Sequence, residues 1–497
     1  MHQNIRNSIE RFLLSPAYFI LFSAYPVLAL YAHNVPGVPP RDVLRPLAVS
    51  ILVALLLFLV LRQATHHVHT SALIVFTALF AFFYYGHVRN LLYSNGILIR
   101  PAALAMIWLA ATGLAIAYIA RHGPVWKTEI MGPVMNLVVI ILLLFPLLRL
   151  AIYVVARAMP LDRKIADVVE VEADAASPDI YYIILDAYTR SDVLKEDYGY
   201  DNSAFIDSLQ DMGFYVAECA QSNYDTTSLS LSSALNMEYL QNISDVYQPD
   251  ETDLLHSFKA LDSNIVRNSL TEAGYKTVVF ASGFHWIEWR DADHFISPAG
   301  RGLTEFEIVV LFSSYARNLD DFGIVNLDDI HAEHYRERTR LVLGSFDALL
   351  DIPSPKFVFI HIIAPHEPYG FDENGNSVAA ERVNSRAGYA AQAKFIGTAI
   401  LPQLQKLVNQ SKIPPVIIVQ GDHGRLGDKP APLMKILNAY YLPGHADLLY
   451  PSISPVNSFR LVFNSYFGTD FPLLEDISYY STLERRYDFS VIPNTCP

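Results

Sequence analysis

Cysteine is nearly missing from this 497-residue chain: there are two, Cys219 and Cys496. They allow at most one disulfide and exclude a disulfide scaffold or a cysteine-built zinc site. Charge is sparse as well, at 17%, and Lys and Arg are outnumbered 36 to 50 by Asp and Glu. The shortage of basic residues is greatest after residue 160, where 25 face 47 acidic ones. That excess of acid argues against a nucleic-acid partner, which needs a basic footprint. Internal repeats and low-complexity tracts are lacking, and at 52% hydrophobic content the chain is not disordered. A guide of ~150 residues per domain fits about three units.

What the front of the chain has is long apolar runs. Residues 12–40, 63–88, 101–120 and 130–148 carry no Asp, Glu, Lys or Arg, and 46–61 is a shorter fifth run. A helix needs about 20 apolar residues to cross a bilayer. Helices are therefore expected near 12–32, 43–61, 70–92, 101–120 and 132–155, with Asn95-Gly96 and Gly123-Pro124 among the breakers between them. Five such runs leave no polar face for a soluble core, and no small-residue cleavage site follows the first, as a signal peptide would require. Residues 1–156 read as a transmembrane domain of five helices, whose two ends lie on opposite sides. Lys and Arg in the loops do not choose which side is inner. A juxtamembrane linker, 157–177, follows. Its Leu161, Ile165, Val168, Val169 and Glu172 trace a short amphipathic helix, either laid in the headgroup layer or serving as a solvated spacer.

Residues 178–497 alternate short β-branched and aromatic runs with helical patterns. Strands are expected at 180–185, 277–280, 357–363 and 416–419, and helices at 203–212, 228–240, 262–273, 331–350 and 389–410. Such alternation predicts an α/β domain around a mainly parallel sheet covered on both faces. Ligands of such sheets bind beyond the carboxyl ends of the strands, so the residues that follow the apolar runs are informative. Asp186 follows the first. Pro365-His366-Glu367-Pro368-Tyr369 follows the third, and Gly421-Asp422-His423-Gly424 the fourth. An aspartate after a strand is commonly a turn or a cap, and Asp-His-Gly alone is an ordinary turn; three instances converging on one sheet edge point to a divalent cation. Oxygen-rich ligation favours Mn²⁺, with Zn²⁺, Mg²⁺ or Ca²⁺ as alternatives.

A fourth element is Ser222-Asn223-Tyr224-Asp225-Thr226-Thr227, leading into a stretch with Ser230, Leu231, Ser233 and Leu235. Small hydroxyl residues here enter a helix, whose free N–H groups and dipole favour an anion such as a phosphoryl oxygen. Plain N-capping by Thr226 or Thr227 is the competing reading. His361 falls inside a strand and reads as a core histidine.

Over roughly 178–445, this set resembles the alkaline phosphatase/sulfatase superfamily. Within it, the layout of membrane helices followed by an ectodomain is similar to that of lipoteichoic acid synthase and the phosphoethanolamine transferases. Sulfatases carry Cys-x-Pro-Ser-Arg-x-Ser-Leu-Leu-Thr-Gly at the nucleophile. Thr227 at the Cys position brings Ser230 and Ser233 onto the motif serines and Leu235 onto a leucine, while Leu231 replaces the arginine. The resemblance implies a threonine nucleophile, Thr227, which also ligates the metal, as in the phosphoglycerol and phosphoethanolamine transferases. It implies metal ligation by Asp186, Asp422 and His423, with one ion because Ala187 stands where sulfatases have a second aspartate. It makes His366 the substrate-side histidine, and it makes Arg290, in Trp286-Ile287-Glu288-Trp289-Arg290-Asp291, a phosphate-binding candidate. The stretches 437–443 and 455–460 look structural. An integral protein of a bacterial-type cytoplasmic membrane, with an extracytoplasmic catalytic domain, is the implied setting.

The expected chemistry is attack of a metal-activated Thr227 hydroxyl on phosphorus, giving a phosphothreonine that is released to an acceptor. His366 protonates the leaving oxygen or holds a phosphate oxygen. The leading expectation is a transferase with a membrane-lipid donor and a glycan, lipid or polymer acceptor. The alternatives are a phosphodiesterase, phosphatase or sulfatase-type hydrolase, and a non-enzymatic membrane protein with a degenerate domain.

Overall fold

The computed structural model describes residues 10–496 except 127, 175, 301, 380–384, 426 and 428. Two compact units emerge, 1–159 with 301–331, and 160–300 with 332–497.

The first unit holds helices α1 (Tyr18–Asn34), α2 (Pro40–Thr65), α3 (Val68–Ser94), α4 (Pro101–His122) and α5 (Thr128–Ala158). Helices α2 to α5 are long and apolar enough to cross a membrane, whereas α1 has 17 residues. The first expected span, 12–32, is interrupted at Ser15-Pro16-Ala17. Pro16 has no N–H to continue the ladder. The carbonyls left open are taken up by Asn136 of α5, whose side-chain amide donates to Leu13 (2.9 Å) and Ser15 (2.7 Å). On α2, α4 and α5, side chains such as Val60, Leu114 and Phe145 are exposed, the surface expected of helices that face lipid.

Residues 301–331 fold with these helices, not with the ectodomain sequence around them. The insertion helix, Glu305–Ser313, starts in a capping box made by Thr304 and Glu307. Glu307 also pairs with Arg45 at the start of α2. Beyond it, the Tyr315 amide donates to the Phe82 carbonyl (2.7 Å), Tyr85 donates to Asn318 (3.1 Å), and buried Arg89 pairs with Asp321. A Cβ added to Gly86 of α3 would sit 2.5 Å from the Ser313 carbonyl oxygen, so only glycine permits this approach. Phe306 meets Tyr31 near the end of α1, and Tyr315 packs against Tyr85 and the start of α4. The end of α1, the start of α2, the C-terminal half of α3 and the start of α4 thus gather around one insertion, on one side of the helices.

The second unit is built on a seven-stranded sheet ordered β2-β7-β6-β1-β5-β3-β4. The strands are β1 (Ile180–Leu185), β2 (Tyr215–Val216), β3 (Lys276–Phe280), β4 (His294–Ile296), β5 (Lys356–Ile362), β6 (Val416–Gln420) and β7 (Asn438–Tyr441). Strands β6, β1, β5, β3 and β4 run parallel, and β7 and β2 add antiparallel pairs at one edge. Both faces are buried, as the near-continuous apolar strands require. Tyr181, Ile183 and Leu185 of β1 pack with Tyr389, Ile396 and Leu404 on one face. Ile180, Tyr182 and Ile184 pack with Leu231, Leu235 and Phe459 on the other. The helices that cover these faces include α6 (Thr227–Asn236), α7 (Arg386–Gln410) and α8 (Pro455–Phe467). A hairpin of β8 (Ser478–Tyr480) and β9 (Ser490–Ile492) lies apart from the main sheet.

The four expected strands coincide with β1, β3, β5 and β6 to within a residue. The expected amphipathic helix of the linker does not form. Residues 160–177 contain no helix among the described residues, and their apolar side chains, Leu161, Ile165, Val169 and Val171, pack onto ectodomain cores. The backbone is tied down by bonds from Lys164 N–H to the Ile243 carbonyl and from Val169 N–H to Ser269 Oγ. The stretch is a strap on the second unit and neither a spacer nor a membrane-surface helix.

Candidate metal centre

Three adjacent strands deliver the polar residues. Asp186 follows β1, His361 lies in β5 with His366 just beyond it, and Asp422 and His423 follow β6. Asp186, Asp422 and His423 are buried, with one ligand atom of each within 4.8 Å of the others. Backbone detail fixes them. Ala187 adopts a left-handed φ of 62°, a conformation that costs an L-residue energy, and so directs its N–H to Asp422 Oδ1 at 2.9 Å. Gly421, ahead of the pair, lies so close to the Tyr188 carbonyl oxygen that an added Cβ would be 2.3 Å from it. The His366 amide donates to the Asp186 carbonyl at 3.0 Å.

The imidazole of His423 is oriented by its own loop. Nδ1 lies 2.6 Å from the Gly424 carbonyl and must donate to it, which leaves the Nε2 lone pair of the neutral ring free. Nε2 is 3.5 Å from Asp422 Oδ2, 3.9 Å from Asp186 Oδ1 and 3.2 Å from Thr227 Oγ1. Burial lowers the affinity of this ring for a proton, but Asp422 and Asp186 together raise its pKa. Burial likewise opposes ionisation of Asp186. His366, the hydrogen bond from His361 and the charge of His423 overcome it and hold the carboxyl at about 2.

Two carboxylate oxygens bear on what this cluster could hold. Asp186 Oδ1 and Asp422 Oδ2 are buried and accept no hydrogen bond. A buried anionic oxygen without a partner is costly, and two of them beside an imidazole lone pair fit a cation. Asp186, Asp422, His423 and Thr227 are the residues that would hold it.

Thr227 is the first residue of α6, behind Thr226 in extended conformation at the N-cap. Thr226 makes no cap bond, and its hydroxyl is buried without a partner; plain capping by that side chain does not occur. The loop ahead is braced by the C-terminal hairpin. Tyr479 N–H donates to the Asn223 carbonyl (2.9 Å), Ser478 Oγ to the Ser222 carbonyl (2.7 Å) and Ser481 N–H to Asp225 Oδ2 (3.3 Å). A disulfide between Cys219 and Cys496 ties the chain beyond the hairpin back to the same region.

His366 is half-buried, its ring 6.4 Å from that of His423. Arg290 lies between β3 and β4. Its guanidinium pairs with Glu288 (Nη2–Oε2 2.5 Å) and lies over Phe295. The same segment reaches the site through Phe284, whose ring lies 6.0 Å from His361 and 6.4 Å from His366. Two residues stand at the site without having been assigned to it. His361, expected in the core, is buried there, and its Nε2 donates to Asp186 Oδ2 at 3.0 Å. Asp225 is buried two residues before Thr227, and burial pushes its carboxyl up to about 6. The signal for His361 was a polar residue inside an otherwise apolar run, that of β5. Asp225 was marked only by its closeness to Thr227.

No protein-family model matches the chain, and no curated protein matches it. Solved structures do. The chain is similar to phosphoethanolamine transferases and sulfatases. The C-terminal periplasmic domain of EptC from Escherichia coli, in complex with Zn, matches at 14% identity and a TM-score of 0.45, covering 67% of this chain and 96% of that one. The integral membrane protein lipooligosaccharide phosphoethanolamine transferase A from Neisseria meningitidis matches at 12% identity and a TM-score of 0.43, covering 91% and 95%. A 2-O GAG sulfatase matches at 13% identity and a TM-score of 0.38, covering 60% and 72%. Both kinds of enzyme fall within the superfamily that the sequence motifs resemble. At these TM-scores the likeness adds no weight at the level of residues, and the roles below rest on the geometry of the site.

Proposed function

We propose that this chain is a membrane-anchored, metal-dependent enzyme that transfers a phosphoryl-linked headgroup, of phosphoglycerol or phosphoethanolamine type, from a membrane lipid to a glycan, lipid or polymer acceptor. The observation that carries the reading is Thr227 Oγ1 at a helix N-terminus, 3.2 Å from His423 Nε2 and beside two carboxylates with unpartnered oxygens.

One divalent ion held by Asp186, Asp422 and His423, Mn²⁺ before Zn²⁺, Mg²⁺ or Ca²⁺, would supply the positive charge that makes a threonine hydroxyl nucleophilic near neutral pH. Thr227 Oγ1 forms the new bond to phosphorus as the bond to the leaving alcohol breaks, leaving a phosphothreonine. The N-terminal amides of α6 stabilise charge gathering on the phosphoryl oxygens. His366, half-exposed at the rim, gives the leaving oxygen its proton and then takes one from the acceptor hydroxyl. His361 keeps Asp186 ionised and oriented.

The setting supports an extracytoplasmic site in a bacterial-type cytoplasmic membrane. Four apolar helices precede the catalytic unit, and a disulfide closes within it, as disulfides do in oxidising compartments. The test is incubation of the full-length protein with a lipid labelled in its headgroup phosphate. Label on Thr227, chased to a non-water acceptor, is the expected result. Release of all label as free headgroup phosphate would make the enzyme a hydrolase, and label on Thr226 would move the nucleophile.

A further inference from the structure

The membrane unit contains a cavity of about 350 Å³ enclosed by α1, α3 and the insertion helix. Val27, Leu30, Phe83 and Val310 give it an apolar lining, to which Tyr25, Tyr84 and Ser313 add hydroxyl groups. Two imidazoles, His33 in the last turn of α1 and His87 of α3, line it as well, and both are exposed. Among the described residues no carboxylate lines the cavity. Among the described residues neither imidazole is hydrogen-bonded within the protein, although the His87 ring lies 5.8 Å from that of Tyr84.

We propose that this cavity is a glycerophospholipid site: it takes a segment of one acyl chain against Val27, Leu30, Phe83 and Val310, while His33 and His87 hold the phosphate at its mouth. The surroundings select this occupant. Helix α3 is one of the four helices able to cross a membrane, so a bilayer lipid is an amphiphile within reach of the cavity. Imidazoles without competing acids suit an anionic oxygen, and the charge-assisted bond strengthens as either ring protonates. The roof comes from the segment 301–331, which joins the membrane unit from far along the chain. Without the insertion helix the apolar space between α1 and α3 stays an open groove. With it, Val310 and Ser313 close one side, and Gly86 sets the depth to which they seat. The site shares no residue with the metal centre and does not depend on the catalytic reading.

The experiment uses the full-length protein, delipidated in a neutral detergent and given a phosphatidylglycerol probe with a photoreactive group at the end of one acyl chain. A diacylglycerol with the same chains serves as comparison. Labelling should saturate at one probe per chain, map to peptides of α1, α3 or residues 305–313, and exceed the diacylglycerol at least tenfold. His33→Leu with His87→Leu should remove that preference while leaving diacylglycerol labelling as it was. Val310→Trp should abolish labelling by both probes. If Val310→Trp fails to fold, the histidine variant alone decides, since its two changes are at exposed positions. Equal labelling by the two probes in wild type, an unchanged preference in the histidine variant, or label mapped away from the three elements would each overturn the site. Because no turnover is measured, failure here leaves the transferase reading standing, and the reverse also holds.

Discussion

Asp179 and Asp186 flank the same central strand, and both are buried. At the N-terminal end, Asp179 is fully engaged: Oδ1 accepts from the Lys356 amide (3.0 Å), and Oδ2 accepts from Ser354 Oγ (3.0 Å) and Lys356 Nζ (2.5 Å). At the C-terminal end, Asp186 has one oxygen on His361 and the other unpartnered, facing an equally unpartnered oxygen of Asp422. A satisfied buried carboxylate holds the sheet together, and one left short of partners marks a place where something else binds. The same residue type, on either side of the same strand, is fully paired at one end and short of partners at the other.

The comparison can be broken by mutation. The largest effect is expected from Asp422→Ala, which should lose bound metal and at least about a thousandfold in turnover while the fold persists. Metal analysis of the purified protein together with the lipid assay checks this, and metal at wild-type stoichiometry would remove the cluster's assignment. Lys356→Met should do the opposite. Leaving Asp179 charged and alone should cost about 3–5 kcal/mol of stability, read by denaturant unfolding, with metal content per folded molecule unchanged.

Acid sharpens the contrast. With the folded carboxyl of Asp186 held at about 2, its ionised form contributes stability that is fully present above the unfolded value near 4 and lost as pH falls through 2. In chelator-treated protein, the stability gap between wild type and Asp186→Asn should therefore narrow by about 2 kcal/mol from pH 6 to pH 2. A gap that widens in acid would contradict the assigned shift. His361→Gln should weaken metal affinity by about 10–100-fold with little change in stability, which a competition titration with a chelator measures. The smallest effect belongs to Thr226→Val. Replacing an unpartnered buried hydroxyl by a methyl of similar shape should move stability by less than about 0.5 kcal/mol and leave turnover intact; a dead enzyme would move the nucleophile from Thr227 to Thr226.

Much of this frame was legible in the chain. β1, β3, β5 and β6 are β-branched and aromatic runs of five to seven residues, and Asp186, Asp422 and His423 stand out as polar groups directly after them. β2 and β4, of two and three residues, are too short to show any period. The link from His361 to Asp186 joins two strands and cannot be read along either one. The linker misled because its apolar spacing suits a helix in isolation, while Ser269, about 100 residues from Val169, and Ile243, about 80 residues from Lys164, supply better partners for its backbone. The insertion was hidden for a similar reason. Its helix, Glu305–Ser313, is nine residues of mostly apolar sequence, far short of a span and indistinguishable from a core helix of an α/β domain. Contacts far apart in sequence, such as the pairing of Glu307 with Arg45 and of Asp321 with Arg89, assign it to the membrane unit.

That assignment has a consequence for synthesis. The membrane unit is not complete when α5 leaves the ribosome, because its remaining piece is encoded after β1, β2, β3 and β4. Until residues 301–331 arrive, the charge of buried Arg89 has no counterpart and the carbonyl of Phe82 has no donor from Tyr315. Assembly must therefore pass from membrane to ectodomain, back to the membrane, and out again. A fragment cut after α5 should be a substrate for membrane quality control, and an ectodomain expressed alone should be sticky unless residues 301–331 are replaced by a short polar loop.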